Sequence, residues 1–149
     1  MSKAINDVLA ERKRQQQVEG WTPEHDDEHR AGDLARAGAT YAMAAGIAAG
    51  GDTSALPAPY DWPWEPQCWK PTNSRRDLIK AAALLIAEIE RLDRAAGIKT
   101  YIKITFKDND WCICEPHEVA AMTANADGYK TEEVHMTEAE FEELPEFQG

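Results

Sequence analysis

The pattern of apolar residues changes near Gly97. Before this residue, apolar side chains recur at the three- and four-residue steps of a helix, and after it they alternate with polar ones as in a strand. The helical spacing predicts three main helices, over about residues 2–19, 23–46 and 74–96. The alternation predicts a small ββαβα unit. We therefore expect an α+β protein, with an N-terminal helical bundle over residues 1–97 and a small acidic α+β unit over residues 98–149.

The third helix has the clearest sequence signals. Ser74 and Asp77 predict a capping box at its start. Its apolar positions advance in alternating four- and three-residue steps, at Leu78, Ala82, Leu85, Ile89, Leu92 and Ala96, and Ile79, Ala83 and Ile86 widen this face. This spacing predicts a helix that is packed along this face. The second helix is rich in small residues after position 34, and small residues let another helix approach closely, so it is the expected centre of the bundle.

A long loop between Gly50 and Pro71 separates the second and third helices. Its five prolines prevent a regular helix or a central strand, but its aromatic content is too high for a plain linker. Two interpretations stay open: the loop packs over the bundle, or its tryptophans form a platform for a base or another planar ligand. Two arginines beside the loop are suited to bind a phosphate. The candidate nucleotide-binding residues are Trp62, Trp64, Trp69, Arg75 and Arg76.

An unbroken run of acidic and imidazole side chains extends from Glu24 to His29. Thr22 and Pro23 are signals for the start of a helix, whose macrodipole favours negative charge there. One interpretation is therefore a well-capped, solvated helix start. The other is a divalent-metal site around Asp26, because a cation relieves the repulsion among clustered carboxylates. His25 and His29 would share a helix face, as metal ligands or as the catalytic general base.

Net charge limits the expected binding partners, and the cysteine content indicates the expected cellular compartment. The net charge of −11 and the pI of about 4.8 disfavour non-specific binding to nucleic acid or to an anionic membrane. No apolar run is long enough to span a membrane, and the N-terminus has no hydrophobic signal core, so we expect a cytoplasmic protein. The odd number of cysteines fits a reducing compartment. Cys112 and Cys114 are expected on opposite faces of a strand, where they cannot hold one ion together.

Three stretches together resemble a family of small proteins from tailed phages and prophages: Gln17–His29, Trp62–Pro71 and Arg75–Asp93. The helical part is also similar to the all-α nucleoside triphosphate pyrophosphatases of the MazG type. That similarity implies a metal held by carboxylate pairs from two helices, here Glu24 with Asp27 and Glu90 with Asp93. The implied cation is Mg²⁺ or Mn²⁺ rather than Zn²⁺. The similarity also implies a homodimer.

Two hypotheses for function follow. The first is a metal-dependent nucleoside triphosphate pyrophosphohydrolase, in which the metal activates a water molecule against the phosphates. The second is a non-enzymatic acidic phage inhibitor of a host defence or nucleic-acid-binding system: a nucleic-acid mimic, an anti-CRISPR-like protein or a nucleotide sponge. The expected partner is a nucleotide or a basic host protein in the bacterial cytoplasm, with no direct contact to nucleic acid or membrane. The acidic surface is predicted at Glu138, Glu140, Glu142, Glu143 and Glu146.

Overall fold

A computed structural model describes residues 1–145, and it confirms a mixed α and β fold. The chain divides into two compact units, Met1–Leu92 (unit 1) and Asp93–Gly149 (unit 2). The division lies within the last long helix, a few residues before Gly97. Over residues 1–145, no helix combines the length and the apolar character that a membrane span requires.

Unit 1 is helical, and its long helices are joined by the proline-rich loop. The helices are α1 (Lys3–Gln17), α2 (Pro23–Asp26), α3 (Asp33–Ala48) and α4 (Ser74–Ala95). The prediction of one helix over residues 23–46 was wrong, because the chain breaks between α2 and α3. Gly32 lies at the break with φ +80°, a left-handed conformation that glycine adopts at little cost and that no helix interior contains. The start of α2 is as predicted, since the Thr22 hydroxyl accepts a hydrogen bond from its first turn.

The start of α4 is held differently from the prediction. Asn73 is the capping residue, and its side-chain oxygen accepts a hydrogen bond of 2.9 Å from the backbone N–H three residues later. The hydroxyl of Ser74 instead donates to the carbonyl of Ala45 near the end of α3 (2.9 Å). Asp77 is fully buried and accepts a hydrogen bond from the hydroxyl of Thr53. The predicted capping box was therefore wrong, because both of its side chains tie α4 to other parts of unit 1.

The core of unit 1 combines small residues of α3 and α4 with two tryptophans of the loop. It consists of Leu34, Ala37, Tyr41, Ala44, Trp62, Trp69, Ala81, Leu84 and Ala87. The two helices approach closely at Gly38, where an added Cβ would lie 3.1 Å from the side chain of Leu85 and 3.2 Å from the carbonyl of Ala81. The packed interpretation of the loop is confirmed for Trp62 and Trp69, each only 8 % exposed.

In two helices, α4 and α1, the large apolar side chains do not lie on the buried face. Four members of the predicted α4 stripe are about half exposed: Leu78 (51 %), Leu85 (42 %), Ile89 (58 %) and Leu92 (51 %). The buried face of α4 carries Ile79, Ala83, Leu84 and Ala87. Similarly, α1 buries polar side chains and exposes its large apolar ones, Ile5 and Leu9. The predicted central stripe was wrong, because the small residues of α3 select the alanine-rich face, which permits the closer approach. Ile79 and Ala83, which were predicted to widen the apolar face, are buried as expected.

Unit 2 is built on a three-stranded antiparallel sheet. Its strands are β1 (Lys99–Phe106), β2 (Trp111–Cys114) and β3 (Tyr129–Met136), in the order β2-β1-β3. Two short helices follow β2 and β3, α5 (Val119–Met122) and α6 (Glu138–Glu142). The side chains of Glu138, Glu140, Glu142 and Glu143 are exposed, as predicted, and Glu146 lies outside the described residues.

The small core of unit 2 contains both strand cysteines. Ile104, Cys112 and Cys114 are buried together on one face of the sheet. The prediction that the two cysteines face opposite ways was wrong, because residues two apart on a strand point to the same side. Burial raises the pKa of both thiols, so they are held in the neutral form of a small apolar side chain.

Candidate functional site

The most deeply buried carboxylate of the acidic run is held by an arginine. Asp26 is fully buried, and its Oδ2 accepts a hydrogen bond of 2.7 Å from a guanidinium nitrogen of Arg12, itself 5 % exposed. The same nitrogen lies 3.7 Å from Oε2 of Glu90 on α4. A guanidinium thus lies between two of the carboxylates that were predicted to share a divalent cation. It supplies the positive charge that the buried carboxylate of Asp26 requires.

The remaining predicted metal ligands do not assemble around this pair. Glu24 and Asp93 are exposed, and Asp27 is half-buried. In the described part of the chain, no group of three or more His, Cys, Asp or Glu side chains is arranged to hold a metal ion. As they are placed, the residues do not fit the predicted site. Binding of Mg²⁺ or Mn²⁺ therefore stays a prediction, and no step of the function proposed below depends on it.

His25 and His29 lie in an aromatic cluster that leads to an open cavity. Their ring centroids are 4.8 Å apart. Trp21 lies parallel to His25 at 6.1 Å, and Trp64 meets His29 edge-on at 5.5 Å. These four rings, with Pro63, Pro66 and neighbouring loop residues, line an open cavity of about 720 Å³, which we call the outer cavity. The two imidazoles thus line a cavity that is open to solvent, and their catalytic role stays a prediction.

A second, smaller cavity of about 220 Å³ shares Trp21, Trp64 and Cys68 with the outer cavity. We call it the aromatic cavity, since Tyr41 and Trp62 complete a wall of four aromatic rings. Its polar lining comes from α1, α4 and the loop: Glu11, Arg14, Gln15, Glu19, Lys70 and Lys80. Concave sites with aromatic walls and a few polar groups are typical binding sites for small molecules.

Two polar atoms of the aromatic cavity's lining have no partner in the described structure. They are Oε1 of Gln15, whose residue is 2 % exposed, and Nε1 of Trp64. By contrast, the indole N–H groups of Trp62 and Trp69 donate to backbone carbonyls at 3.0 Å and 2.9 Å. A buried polar group without a hydrogen bond costs about 1–3 kcal/mol. The lining residues therefore carry one unpaired acceptor and one unpaired donor, both below the cavity surface, and a rotation of the two side chains would bring them to a bound molecule.

Positive charge borders this cavity although the protein as a whole is acidic. The ammonium group of Lys80 donates to the carbonyl of Lys70 at 2.6 Å and lies 5.4 Å from the Tyr41 ring centroid. Burial lowers the pKa of Lys80, as expected for a cation in a partly desolvated position. Arg14 also lines the cavity and donates to the carboxylates of Glu11 (2.9 Å) and Glu19 (3.0 Å). An anionic group of a ligand would thus meet two lysines, and an arginine that these two carboxylates already bind.

The two arginines predicted to bind phosphate are paired elsewhere. Arg75 donates to Asp7 at 2.8 Å, and Arg76 donates to Glu11. Neither arginine lines the aromatic cavity. Gln15 and Tyr41 were not predicted as site residues, because a glutamine in a polar helix and a tyrosine among alanines form no distinctive sequence pattern.

Comparison of the chain with protein-family models, with curated proteins and with solved structures finds no match. The resemblances to phage proteins and to MazG-type pyrophosphatases therefore stay predictions. The chemistry of the site rests on the arrangement of its own residues.

Proposed function

We propose that unit 1 binds a nucleotide, with the base in the aromatic cavity. The observation that carries this proposal is that two lining residues of one aromatic cavity carry unpartnered polar atoms, an acceptor on Gln15 and a donor on Trp64. A nucleobase is a flat ring system with donors and acceptors along its edge, so it would satisfy both atoms while its faces stack on the indole rings. An aliphatic or purely apolar ligand would leave the two polar atoms unpaired.

The same cavity accounts for the phosphates. Lys70, Lys80 and Arg14 border it, and ammonium and guanidinium groups bind phosphate oxygens through charge-assisted hydrogen bonds. The base would fill the volume of about 220 Å³, with the phosphates at its cationic border, and the adjoining outer cavity of about 720 Å³ has room for the sugar. His25 and His29 line only the outer cavity, so a nucleotide that extends into it would also contact the two imidazoles.

Hydrolysis of the bound nucleotide is the further step that the two histidines make possible. An imidazole titrates near neutral pH, so His25 or His29 would serve as a general base for water. Release of pyrophosphate from nucleoside triphosphates tests this hydrolysis, which does not depend on a metal ion. The predicted metal site has a test of its own: a bound Mg²⁺ or Mn²⁺ would raise the melting temperature by mass action, and Asp27→Asn or Glu90→Gln would remove that increase.

Binding is tested by calorimetric titration of a panel of nucleoside triphosphates against two matched variants. Gln15→Leu removes the buried acceptor, and Gln17→Leu makes the same change at an exposed position of α1. We expect Gln15→Leu to bind about 10-fold or more weakly, because a base donor loses its partner. Its free energy of unfolding should stay level or rise, since the unpaired amide disappears. Equal affinity for both variants, or no nucleotide binding by the wild type, would exclude the proposal.

An acidic inhibitor of a host protein is the second candidate function. It is favoured by the exposed carboxylates of unit 2, Glu132, Glu133, Glu138, Glu142 and Glu143. A dense acidic surface would compete with nucleic acid for a basic site. Reversal of these charges to lysine would abolish capture of such a partner from a host lysate. If no partner depends on these residues, the acidic surface serves only solubility.

A further inference from the structure

Strand β2 is an edge of the sheet in unit 2, and its outer side pairs with no other strand of the described residues. The backbone N–H of Phe106 donates to the carbonyl of Asp110 (2.8 Å), and in an antiparallel pair the bonded residues alternate from there. The strand cysteines therefore bond to β1, whereas Trp111 and Ile113 turn their N–H and C=O groups outward. Within residues 1–145, these outward groups have no hydrogen-bond partner. β2 thus offers two donors and two acceptors to a further strand.

A cavity of about 500 Å³ follows this free edge. One wall is Met122 of α5, a helix that packs on the cysteine face of the sheet through Val119. The other wall is Phe141 of α6, which stacks at 4.2 Å on Tyr101 of the opposite face. Residues 111–113 of β2 form the floor between them. A groove whose floor is the edge of a sheet has the shape in which an extended peptide adds as a strand.

The two edges of the sheet differ in their protection. The β3 edge carries Lys130, Glu132 and Glu133, and charged side chains hinder pairing with a further strand. β2 reads Trp-Cys-Ile-Cys, without a charged residue or a proline, and its Trp111 is 44 % exposed. Since proteins usually blunt such an apolar edge, the open β2 edge indicates an interaction surface.

The charge of the cavity selects the partner. Among the described residues that line it, the two charged ones are Asp110 and Glu142. Lys103 of β1 lies over the Trp111 ring at 5.1 Å but does not line the cavity. Lysine or arginine residues of an incoming strand would meet opposite charges there, and apolar residues between them would pack on Trp111 and Ile113. A second copy of this chain would instead bring the same carboxylates together, with a net charge of −11 on each copy.

We propose that β2 binds an extended segment of another protein as a fourth strand, in which apolar residues alternate with lysine or arginine. Backbone hydrogen bonds to Trp111 and Ile113 supply the affinity, and Asp110 and Glu142 supply the preference for basic side chains. Binding at this edge is independent of the nucleotide site in unit 1. It also differs from the acidic-inhibitor function, because it requires the strand edge in addition to negative charge.

Calorimetric titration of the full chain with a capped hexapeptide of alternating lysine and valine tests the edge. Ile113→Pro removes an outward N–H and keeps the hydrogen bonds between β1 and β2, while Thr131→Pro makes the same change on the outer side of β3. We expect Ile113→Pro to bind the peptide about 10-fold or more weakly, and Thr131→Pro to bind it like the wild type. Equal affinity of the two variants, or no binding by the wild type, would overturn the proposal.

A second pair of variants changes only charge and leaves the backbone of β2 intact. Asp110→Asn with Glu142→Gln removes the two carboxylates of the cavity, and Glu132→Gln with Glu133→Gln removes two from β3. Because both proteins have the same net charge, general attraction of a basic peptide affects them equally. We expect the first protein to bind the peptide several-fold more weakly than the second. Equal affinities would contradict recognition at the β2 edge.

Methylated peptides separate strand addition from attraction between charges. Methylation of either the lysine amides or the valine amides leaves the charge of the hexapeptide unchanged. Alternate amides of an added strand point to β2, so we expect one methylated peptide to lose binding and the other to keep it. Equal affinity of the two peptides would overturn the proposal. Self-association of the wild type that Ile113→Pro abolishes, without peptide binding, would assign the edge to a second copy and would also overturn it.

Discussion

The buried pair of Arg12 and Asp26 should be among the most costly polar contacts to break in unit 1. Asp26 is fully buried, the guanidinium is 6 % exposed, and the two atoms in contact are 2.7 Å apart. Replacement of Arg12 by methionine leaves the carboxylate buried without its counter-charge, and such changes cost about 3–5 kcal/mol. For a domain of this size, whose whole stability is about 5–15 kcal/mol, each kilocalorie lowers the melting temperature by about 4–8 °C. We therefore expect a decrease of at least about 12 °C.

A matched control separates the effect of burial on the cost of breaking an ion pair from the effect of contact distance. Arg36 and Asp33 are also 2.7 Å apart, but their side chains are 50 % and 25 % exposed. Arg36→Met should cost less than about 1 kcal/mol, because solvent screens an exposed pair. The double variant Arg12→Met/Asp26→Leu should recover much of the loss in Arg12→Met, since no unpaired charge remains buried. Urea unfolding of the four proteins measures these differences. Equal costs for Arg12→Met and Arg36→Met would refute the assignment of Arg12 as the buried counter-charge.

Three further predictions address pH, packing and surface charge. Burial raises the pKa of Glu11, but hydrogen bonds from Arg14 and Arg76 outweigh it and hold the pKa below its ordinary value of 4.5. The ionised carboxylate of Glu11 therefore contributes stability above pH 4.5, and this contribution is lost as the pH falls through the lower folded-state pKa. In Glu11→Gln, the free energy of unfolding in urea should therefore decrease less on acidification than in the wild type. Gly46 on α3 has nothing within 4 Å of an added Cβ, so Gly46→Ala should stabilise by about 0.5–1 kcal/mol. Gly38→Ala should stabilise less or destabilise, because its added Cβ would lie 3.2 Å from the backbone carbonyl of Ala81, which cannot rotate away as a side chain can. Equal gains in stability from Gly46→Ala and Gly38→Ala would contradict the close packing of α3 and α4. Glu142→Lys with Glu143→Lys should leave the melting temperature nearly unchanged, since both side chains are exposed.

The sequence was sufficient to predict the structural features that depend only on neighbouring residues. The stop at Gly97, the cap at Thr22 and the alternation in β1 each depend on a few neighbouring residues. The break between α2 and α3 was missed because Gly32 follows a run of residues that a helix tolerates. The spacing of α4 was correct, but periodicity alone does not say which of two apolar faces is buried. That choice depends on the small residues of α3, which are distant in sequence.

The candidate site was predictable only where its residues are chemically distinctive. His25, His29 and Trp64 stood out by type, and they do line the cavities. Gln15 and Tyr41 became visible only through burial, which depends on how α1 and α3 meet the loop. Asp26 was read as a metal ligand because the sequence does not show that Arg12, fourteen residues earlier, reaches its carboxylate. Long-range pairing of charges is a property of the fold.

The indole N–H signal of Trp64 tests nucleotide binding in the aromatic cavity most directly. Each of the five tryptophans contributes one indole ¹H–¹⁵N correlation, and that of Trp69 serves as the internal reference, because its N–H already donates to a backbone carbonyl and its ring does not line the cavity. On titration with nucleoside triphosphates, we expect the Trp64 proton to shift downfield as it gains an acceptor, by more than that of Trp69. The same titration of Gln15→Leu should need a higher nucleotide concentration. A Trp64 signal that stays in place while a nucleotide binds, or the absence of any shift across the panel, would contradict the account.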